Sequence, residues 1–206
     1  MDKKVLVVDL DGTLYNTNTF HEFLKYLLSY YFNDFRMFKF NILLFFIKLR
    51  LFRMISHSRL KYKVLGLIKN EDIDYQDFVS KLLKHKNKIE EVADSSFDVK
   101  ILATAAPSCY ANWIAKAEGF DVCLATDFPE YGFTTDYENL SERKKENLLG
   151  YFEKNNFESV DVFITDHMDD APIIKIAKKN IIINPNHKLS NWLKENLINF
   201  EVRKTK

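Results

Sequence analysis

The stretch Val5 to Leu14, VLVVDLDGTL, constrains this chain more than any other. Four apolar residues, three of them β-branched, read as a strand covered on both faces, which belongs inside a parallel sheet. The strand leads two carboxylates, Asp9 and Asp11, into a turn at Gly12. Residues two apart on an extended chain point to the same side, so both carboxylates can face one small site. Two anions that close repel unless a cation or a shared proton intervenes, and a hard, oxygen-seeking ion such as Mg2+ answers that need. An Asp-Gly pair after an apolar strand is also an ordinary turn signal, so this stretch alone leaves both readings open.

Downstream, strands and helices alternate. Val99 to Thr104, Val122 to Thr126, Val160 to Thr165 and Ile181 to Asn184 read as strands. Helices are expected from about Lys86 to Ala93, from Ser108 to Ala117, from a Ser141 cap through Lys154, and from Ala171 to Lys179. Such alternation predicts an α/β fold, a three-layer Rossmann-like parallel sheet with helices on both faces. Tyr131-Gly132-Phe133 marks a small hairpin or loop, and the tail after Glu201 is expected to fray. From Tyr15 to about Lys84 there is no proline and only one glycine, Gly66, so that interval reads as helical. The expected organisation is a core of residues 1–14 and 85–206 with an all-helical insertion of residues 15–84. A length of 206 residues, 47% of them apolar, accommodates that core and excludes disorder.

Inside the insertion, Phe20, Phe23, Leu24, Leu27, Leu28 and Tyr31 recur at helical spacing behind Asn16, Thr17 and Asn18 as possible caps. Asn33 and Asp34 mark a break before a greasy second helix, Phe35 to Met54. Its longest uncharged run, Phe40 to Ile47, is eight residues, too short for a span of about 20. Phe35, Phe38, Ile42, Phe45, Leu49 and Phe52 form one apolar stripe, widened by Leu43, Leu44, Phe46 and Ile47. Two readings stay open for it. Either the helix packs against its helical neighbours while its charges reach outward, or it docks on an anionic membrane or a lipid-linked phosphate. Ser58 to Ile68 and Ile73 to Leu83 complete the insertion, the latter capped by Asp72 or Asp74.

A net charge of +1 hides a strong asymmetry: Arg36 to Lys69 holds nine basic residues and no acid, whereas Asp127 to Asp170 holds twelve acids against four bases. The basic charges are interleaved with bulky aliphatics and belong to no nucleic-acid-binding motif, so a nucleic-acid partner is not expected. The two cysteines, Cys109 and Cys123, have no metal-type spacing. With no signal peptide visible, they are expected to be free thiols in a cytoplasmic protein, peripheral to a membrane at most. No obligate protein partner is expected.

DLDGTL resembles the first motif of the haloacid dehalogenase superfamily of hydrolases, and every position of that motif is filled. Three further stretches follow in the order that family uses. Thr104, at a strand end before Ala105-Ala106-Pro107, resembles the second motif, with Ala106 where a Ser is common. Arg143, Lys144 and Lys145 supply the lysine of the third. Lys144 precedes Leu148 by four residues and Phe152 by eight, so it shares their inward face, and Lys145 stays as the alternative through Leu149. TDHMDDAP resembles the fourth motif, with Asp166 and Asp170 four apart, Thr165 where Gly is common, and Asp169 where Asn is frequent. His167 beside them is read as a neighbour, since Mg2+ prefers oxygen. INPNHKLSNWL resembles the close of the phosphoserine-phosphatase-like branch, whose helical cap lies between the first and second motifs.

The resemblance implies a Mg2+-dependent phosphatase acting on a small phosphorylated metabolite or a lipid-linked phosphate. Asp9 would be the nucleophile, Asp11 the acid and base, and Thr104 and Lys144 the grips on the phosphoryl oxygens. Mg2+ would sit on Asp9, the backbone carbonyl of Asp11, Asp166 and Asp170, with Asp169 a further possible ligand. The presence of Asp11 disfavours carbon-halogen cleavage, which needs no acid for its leaving group. Two rivals remain: a phosphotransferase or mutase on the same core, and a binding protein acting through the peripheral membrane contact of residues 35–54.

Overall fold

The computed structural model describes residues 3–205. Six strands, β1 (Val5–Val8), β2 (Val99–Pro107), β3 (Val122–Thr126), β4 (Val162–Thr165), β5 (Lys179–Ile183) and β6 (Phe200–Arg203), form one sheet. Their order is β3-β2-β1-β4-β5-β6 and each pairing is parallel. Alternation along β1 sends Leu6 and Val8 into one apolar cluster and Val5 and Val7 into another, so the sheet separates two cores. The second core is closed by α7 (Glu142–Asn155), α8 (Ala171–Ile174) and α9 (His187–Glu195), through Leu148, Phe152, Ile173, Leu189 and Leu193. The first is closed by α6 (Ser108–Glu118) and by the helices inserted after β1. The α/β, three-layer parallel architecture expected from the alternation is the one observed.

Between β1 and β2 lie α1 (Thr19–Asn33), α2 (Met37–Leu51), α3 (His57–Ile68) and α4 (Tyr75–Leu82). Side-chain oxygens of Asn18, Ser56 and Asp74 cap α1, α3 and α4. Phe23 of α1 meets Phe78 of α4 and Tyr110 of α6, each with ring centroids 5.0 Å apart, so aromatic packing ties the insertion to the sheet-covering layer. Phe20, Leu27, Leu60 and Val64 belong to the same cluster as Leu6 and Leu102.

Several local expectations are corrected. The helix expected from Lys86 contracts to α5 (Glu90–Ala93), because the returning chain runs beside the outgoing one. Asn16 N–H donates to the His85 carbonyl at 2.8 Å and Asn87 N–H to that of Leu14 at 2.9 Å, which commits those groups across the chain pair. The helix expected to reach Lys179 ends at Ile174, since Lys178 N–H already donates to the Val160 carbonyl and begins the β5 register. Ser141 does not cap α7: it sits at φ 54° with no side-chain bond to the helix. The tail does not fray at Glu201 but forms edge strand β6, and Arg203 grips both carboxylate oxygens of Glu91 at 2.7 and 2.8 Å. Tyr131 to Phe133 forms a loop without strand pairing.

The second helix is corrected in its orientation. Phe38, Phe45 and Phe52 are 79%, 56% and 77% exposed, while Leu43 is the residue of α2 that is fully buried. Packing runs through Leu43, Phe46 and Ile47, which the sequence places beside the stripe, and through Phe40, which lies outside both sets. A helix that is apolar all round carries no periodic signal for which face turns inward.

The sheet order reverses beside β1: the chain goes first to β2 and β3 and returns on the other flank at β4. The crevice beyond the carboxyl ends of β1, β2 and β4 is where such a fold places a site. The orientation of α2 predicts that Leu43→Ala costs about 3 kcal/mol in urea denaturation, whereas Phe38→Ala stays within about 0.5 kcal/mol. Equal losses would contradict it.

Candidate active site

Past β1 the ladder continues one step, Asp9 N–H donating to the Ile164 carbonyl at 2.9 Å, which fixes Asp9 at the crevice floor. The chain then turns sharply, with Tyr15 N–H donating to Leu10 and Gly12 N–H to Tyr15. Gly12 is required twice over. Its φ is +79°, and a Cβ there would lie 2.1 Å from Asp166 Oδ2. The turn therefore brings the backbone of the first motif against the carboxylate that follows β4, and Thr13 Oγ1 donates to Asp166 Oδ1 at 3.1 Å.

Asp11 accepts the Thr19 N–H at 2.8 Å through Oδ1, one of the orphan donors opening α1. Burial raises its pKa, against the opposing pull of the Thr19 bonds and of Lys61 and Lys144. One oxygen is thus anchored by the helix while the carboxyl is biased toward holding a proton. The strand expected to end at Thr104 runs on to Pro107, with a register shift after Ala103; Thr104 is buried within it, and its Oγ1 accepts the Ala106 N–H at 3.0 Å. An accepting hydroxyl keeps its own proton to donate, so Thr104 faces the cavity as a donor.

Lys144, 2% exposed, donates to Asp9 Oδ1 and to Asp170 Oδ1, both at 2.7 Å. Lys145 lies on the surface beside Glu142 at 3.2 Å. Asp170 also accepts the Thr165 hydroxyl through Oδ2 at 2.6 Å, so both its oxygens are engaged by the protein. Burial works against the Lys144 ammonium, but Asp170 and Asp9 outweigh it and hold the amine charged. Burial lifts the Asp9 carboxyl against the pull of Lys144, and Asp170 and Asp166 lift it further. Asp169 and His167 are exposed at the rim, 3.3 Å from one another.

Asp9, Asp11, Thr104, Lys144, Asp166, Asp169 and Asp170 thus line one cavity of 460 Å³, a size suited to a small ligand. A profile of the haloacid dehalogenase-like hydrolases matches residues 6–175, most of the chain. The chain belongs to that family. No curated protein matches it. Among solved structures, a Bordetella pertussis Tohama I protein of unknown function is similar over 97% of this chain and 98% of its own, at 18% identity and a TM-score of 0.75. A phosphoserine phosphatase structure described as a phospho-aspartyl intermediate analogue is similar over 100% and 96%, at 17% identity and a TM-score of 0.60. A HAD family hydrolase from Salmonella enterica serovar Typhi is similar over 99% and 69%, at 8% identity and a TM-score of 0.63. These likenesses share the fold of a haloacid dehalogenase-like hydrolase.

Within this hydrolase fold, part of the cavity wall went unread in the sequence. Lys61 of α3 is buried, donates to the Ala105 carbonyl at 2.7 Å, and forms a close ion pair with Glu138 from the loop after β3. Its Nζ stands 5.4 Å from the centre of the Phe20 ring. His57 lines the same wall, and burial, reinforced by Lys61, lowers its pKa to about 4, so it is neutral at pH 7. Asn139 holds this wall to the sheet by donating to the carbonyls of Thr104 and Leu124, each at 2.9 Å.

The fit to a cation can be judged from the charge inventory. Asp9, Asp11, Asp166 and Asp170 converge against Lys144, while Lys61 is already matched by Glu138. Among the described residues no three Asp, Glu, His or Cys side chains already close on one point as metal ligands. The set is an anionic excess of hard oxygens, the donor chemistry that Mg2+ takes. The bridging role of Lys144 predicts that Lys144→Ala destabilises the fold by about 3 kcal/mol, since two buried carboxylates then face each other. Lys145→Ala should fall within about 0.5 kcal/mol in the same urea titration, and equal effects would reverse the assignment.

Proposed function

We propose that this protein is a phosphatase that hydrolyses a phosphomonoester through an aspartyl-phosphate on Asp9. The observation that carries the proposal is the pairing of two unlike carboxylates on one turn. Burial raises both carboxyls, but Asp9 is bonded to the Lys144 ammonium, which favours its anion, whereas Asp11 is anchored by the Thr19 N–H at a helix N-terminus. Two carboxyl groups with environments that differ in this way divide nucleophile from acid. The phosphoserine phosphatases among the similar folds support a phosphomonoester as the substrate class.

In the first step an Asp9 carboxylate oxygen attacks phosphorus, and the bond from phosphorus to the leaving oxygen breaks as Asp11 gives that oxygen its proton. In the second, Asp11 takes a proton from water, whose oxygen attacks phosphorus, releasing inorganic phosphate and restoring Asp9. Thr104 Oγ1 and Lys144 Nζ donate to the equatorial phosphoryl oxygens and stabilise the charge that spreads over them. Asp170, with Thr165, orients Lys144. Asp9, the Asp11 carbonyl and Asp166, with Asp170 behind them, are the groups that would hold Mg2+. When bound, the ion supplies charge neutralisation and alignment of the phosphoryl group. Asp169, at the exposed rim, would act on the ion through water rather than as a direct ligand.

The test is hydrolysis of p-nitrophenyl phosphate. Wild type should turn over with Mg2+, stop on chelation with EDTA and recover when Mg2+ is returned. Asp9→Asn should lose roughly 10³-fold or more in kcat, because an amide is no nucleophile. Turnover that persists in EDTA, or undiminished in Asp9→Asn, would overturn the mechanism.

A further inference from the structure

The face of α2 that the fold leaves uncovered is chemically specific. Phe38, Phe45 and Phe52 recur every seven residues along the solvent side, separated by Asn41 and Lys48. At the two ends Phe35 is 88% exposed and Leu51 and Met54 are 74% and 70% exposed. Phe35 and Arg53 adopt φ of 56° and 58°, left-handed values that bulky side chains seldom take, and each projects from a helix end. The turn presents the Phe35 ring to solvent.

The charge around these rings has one sign. Residues 36–69 contain nine Lys or Arg and no Asp or Glu. Arg36 and Lys39 are matched by Glu71, but among the described residues no acid lies within ion-pair distance of Lys48, Arg50 or Arg53. Exposed aromatics among unmatched bases suit an interface where rings enter the acyl boundary and cations meet lipid phosphates. A second copy of the chain suits it poorly: a twofold contact would set each basic surface against its own like. No helix among the described residues is long and apolar enough to cross a membrane, so contact would be in the plane of the surface.

A second feature joins this face to the catalytic cavity. A cleft of 470 Å³ between α1 and α2 is walled by Leu24, Leu28, Ile47, Leu51 and Leu60, with Arg50 at its side. Thr17 and Asn18 line both this cleft and the cavity that holds Asp9. The cleft, lined also by His21, Glu22 and Lys25, thus adjoins the anion-handling cavity at Thr17 and Asn18 and opens at its far side by the exposed Leu51.

We propose that α2 seats this protein on an anionic bilayer and that the α1–α2 cleft takes the apolar tail of a lipid phosphomonoester whose phosphate reaches Asp9. The substrate half rests on the phosphatase reading above; the docking half does not. Flotation with phosphatidylglycerol–phosphatidylcholine vesicles tests docking without any catalytic readout. Wild type should float with these vesicles, be released by raised salt, and remain at the bottom with pure phosphatidylcholine. The double variant Phe38→Glu/Phe45→Glu should not float. Phosphatidate in the same vesicles tests the substrate: it should be hydrolysed in preference to glycerol 3-phosphate, and the double variant should lose roughly tenfold. The variant's p-nitrophenyl phosphate turnover in solution reports whether fold and chemistry are intact.

Failure of wild type to float, flotation undiminished in the variant, or a stable dimer that the variant dissociates would overturn the docking. Preference for glycerol 3-phosphate would overturn the lipid substrate. Absence of all phosphatase turnover with flotation intact would sink the catalytic reading and leave the docking standing.

Discussion

A single buried ammonium organises the site. Lys144 Nζ lies 2.7 Å from both Asp9 and Asp170, and those three residues come from α7, the end of β1 and the turn after β4. Either carboxylate alone in that environment would be an uncompensated buried charge, and the lysine alone would be equally costly. Joined, they pin α7 across the crevice and bring the first and fourth motifs together. The Gly12 turn depends on the same arrangement, since the Asp166 carboxylate fills the space where any larger residue would place its Cβ. Substitution at Gly12 therefore strains the backbone and collides with the site in one stroke.

The helical insertion extends this core and shapes what enters it. Its apolar residues are continuous with those on one sheet face, and Phe23 meets rings from α4 and α6. It also reaches across the crevice. Lys61 pairs with Glu138, and the Tyr62 hydroxyl donates to the Tyr131 carbonyl at 2.9 Å while its ring meets Phe133 and Tyr137 edge-on. These contacts fasten α3 to the loop after β3 and close one wall of the cavity, leaving α2 outermost with its aromatic face in solvent.

Much of the site was legible in the sequence because its parts are local. A buried parallel strand followed by acid or threonine is visible within ten residues; alone it leaves Asp9, Asp11 and Thr104 open, and the resemblance to four motifs in order picked them out together with Asp166. The phase of α7 chose Lys144 over Lys145, since Leu148 and Phe152 share its face. Other features rest on contacts distant in sequence. Nothing near Lys61 separates it from the eight other bases of its segment; only the approach of Glu138 makes it a buried wall residue. Strand β6 was hidden because Phe-Glu-Val-Arg alternates too briefly to stand out, and Glu91 secures it from more than a hundred residues away. The outward turn of Phe38, Phe45 and Phe52 could not be read because α2 is apolar on every side.

The proposed passage of the phosphoryl group through Asp9 is open to direct trapping. Wild-type protein mixed with excess p-nitrophenyl phosphate and Mg2+ is quenched in acid within a turnover, digested, and its peptides weighed. The expected result is a peptide containing Asp9 heavier by one phosphoryl group, which hydroxylamine converts to the hydroxamate with loss of phosphate, as it does an acyl phosphate. Rapid hydrolysis with no phosphorylated peptide at any quench time, or with the label on a residue other than Asp9, would contradict it.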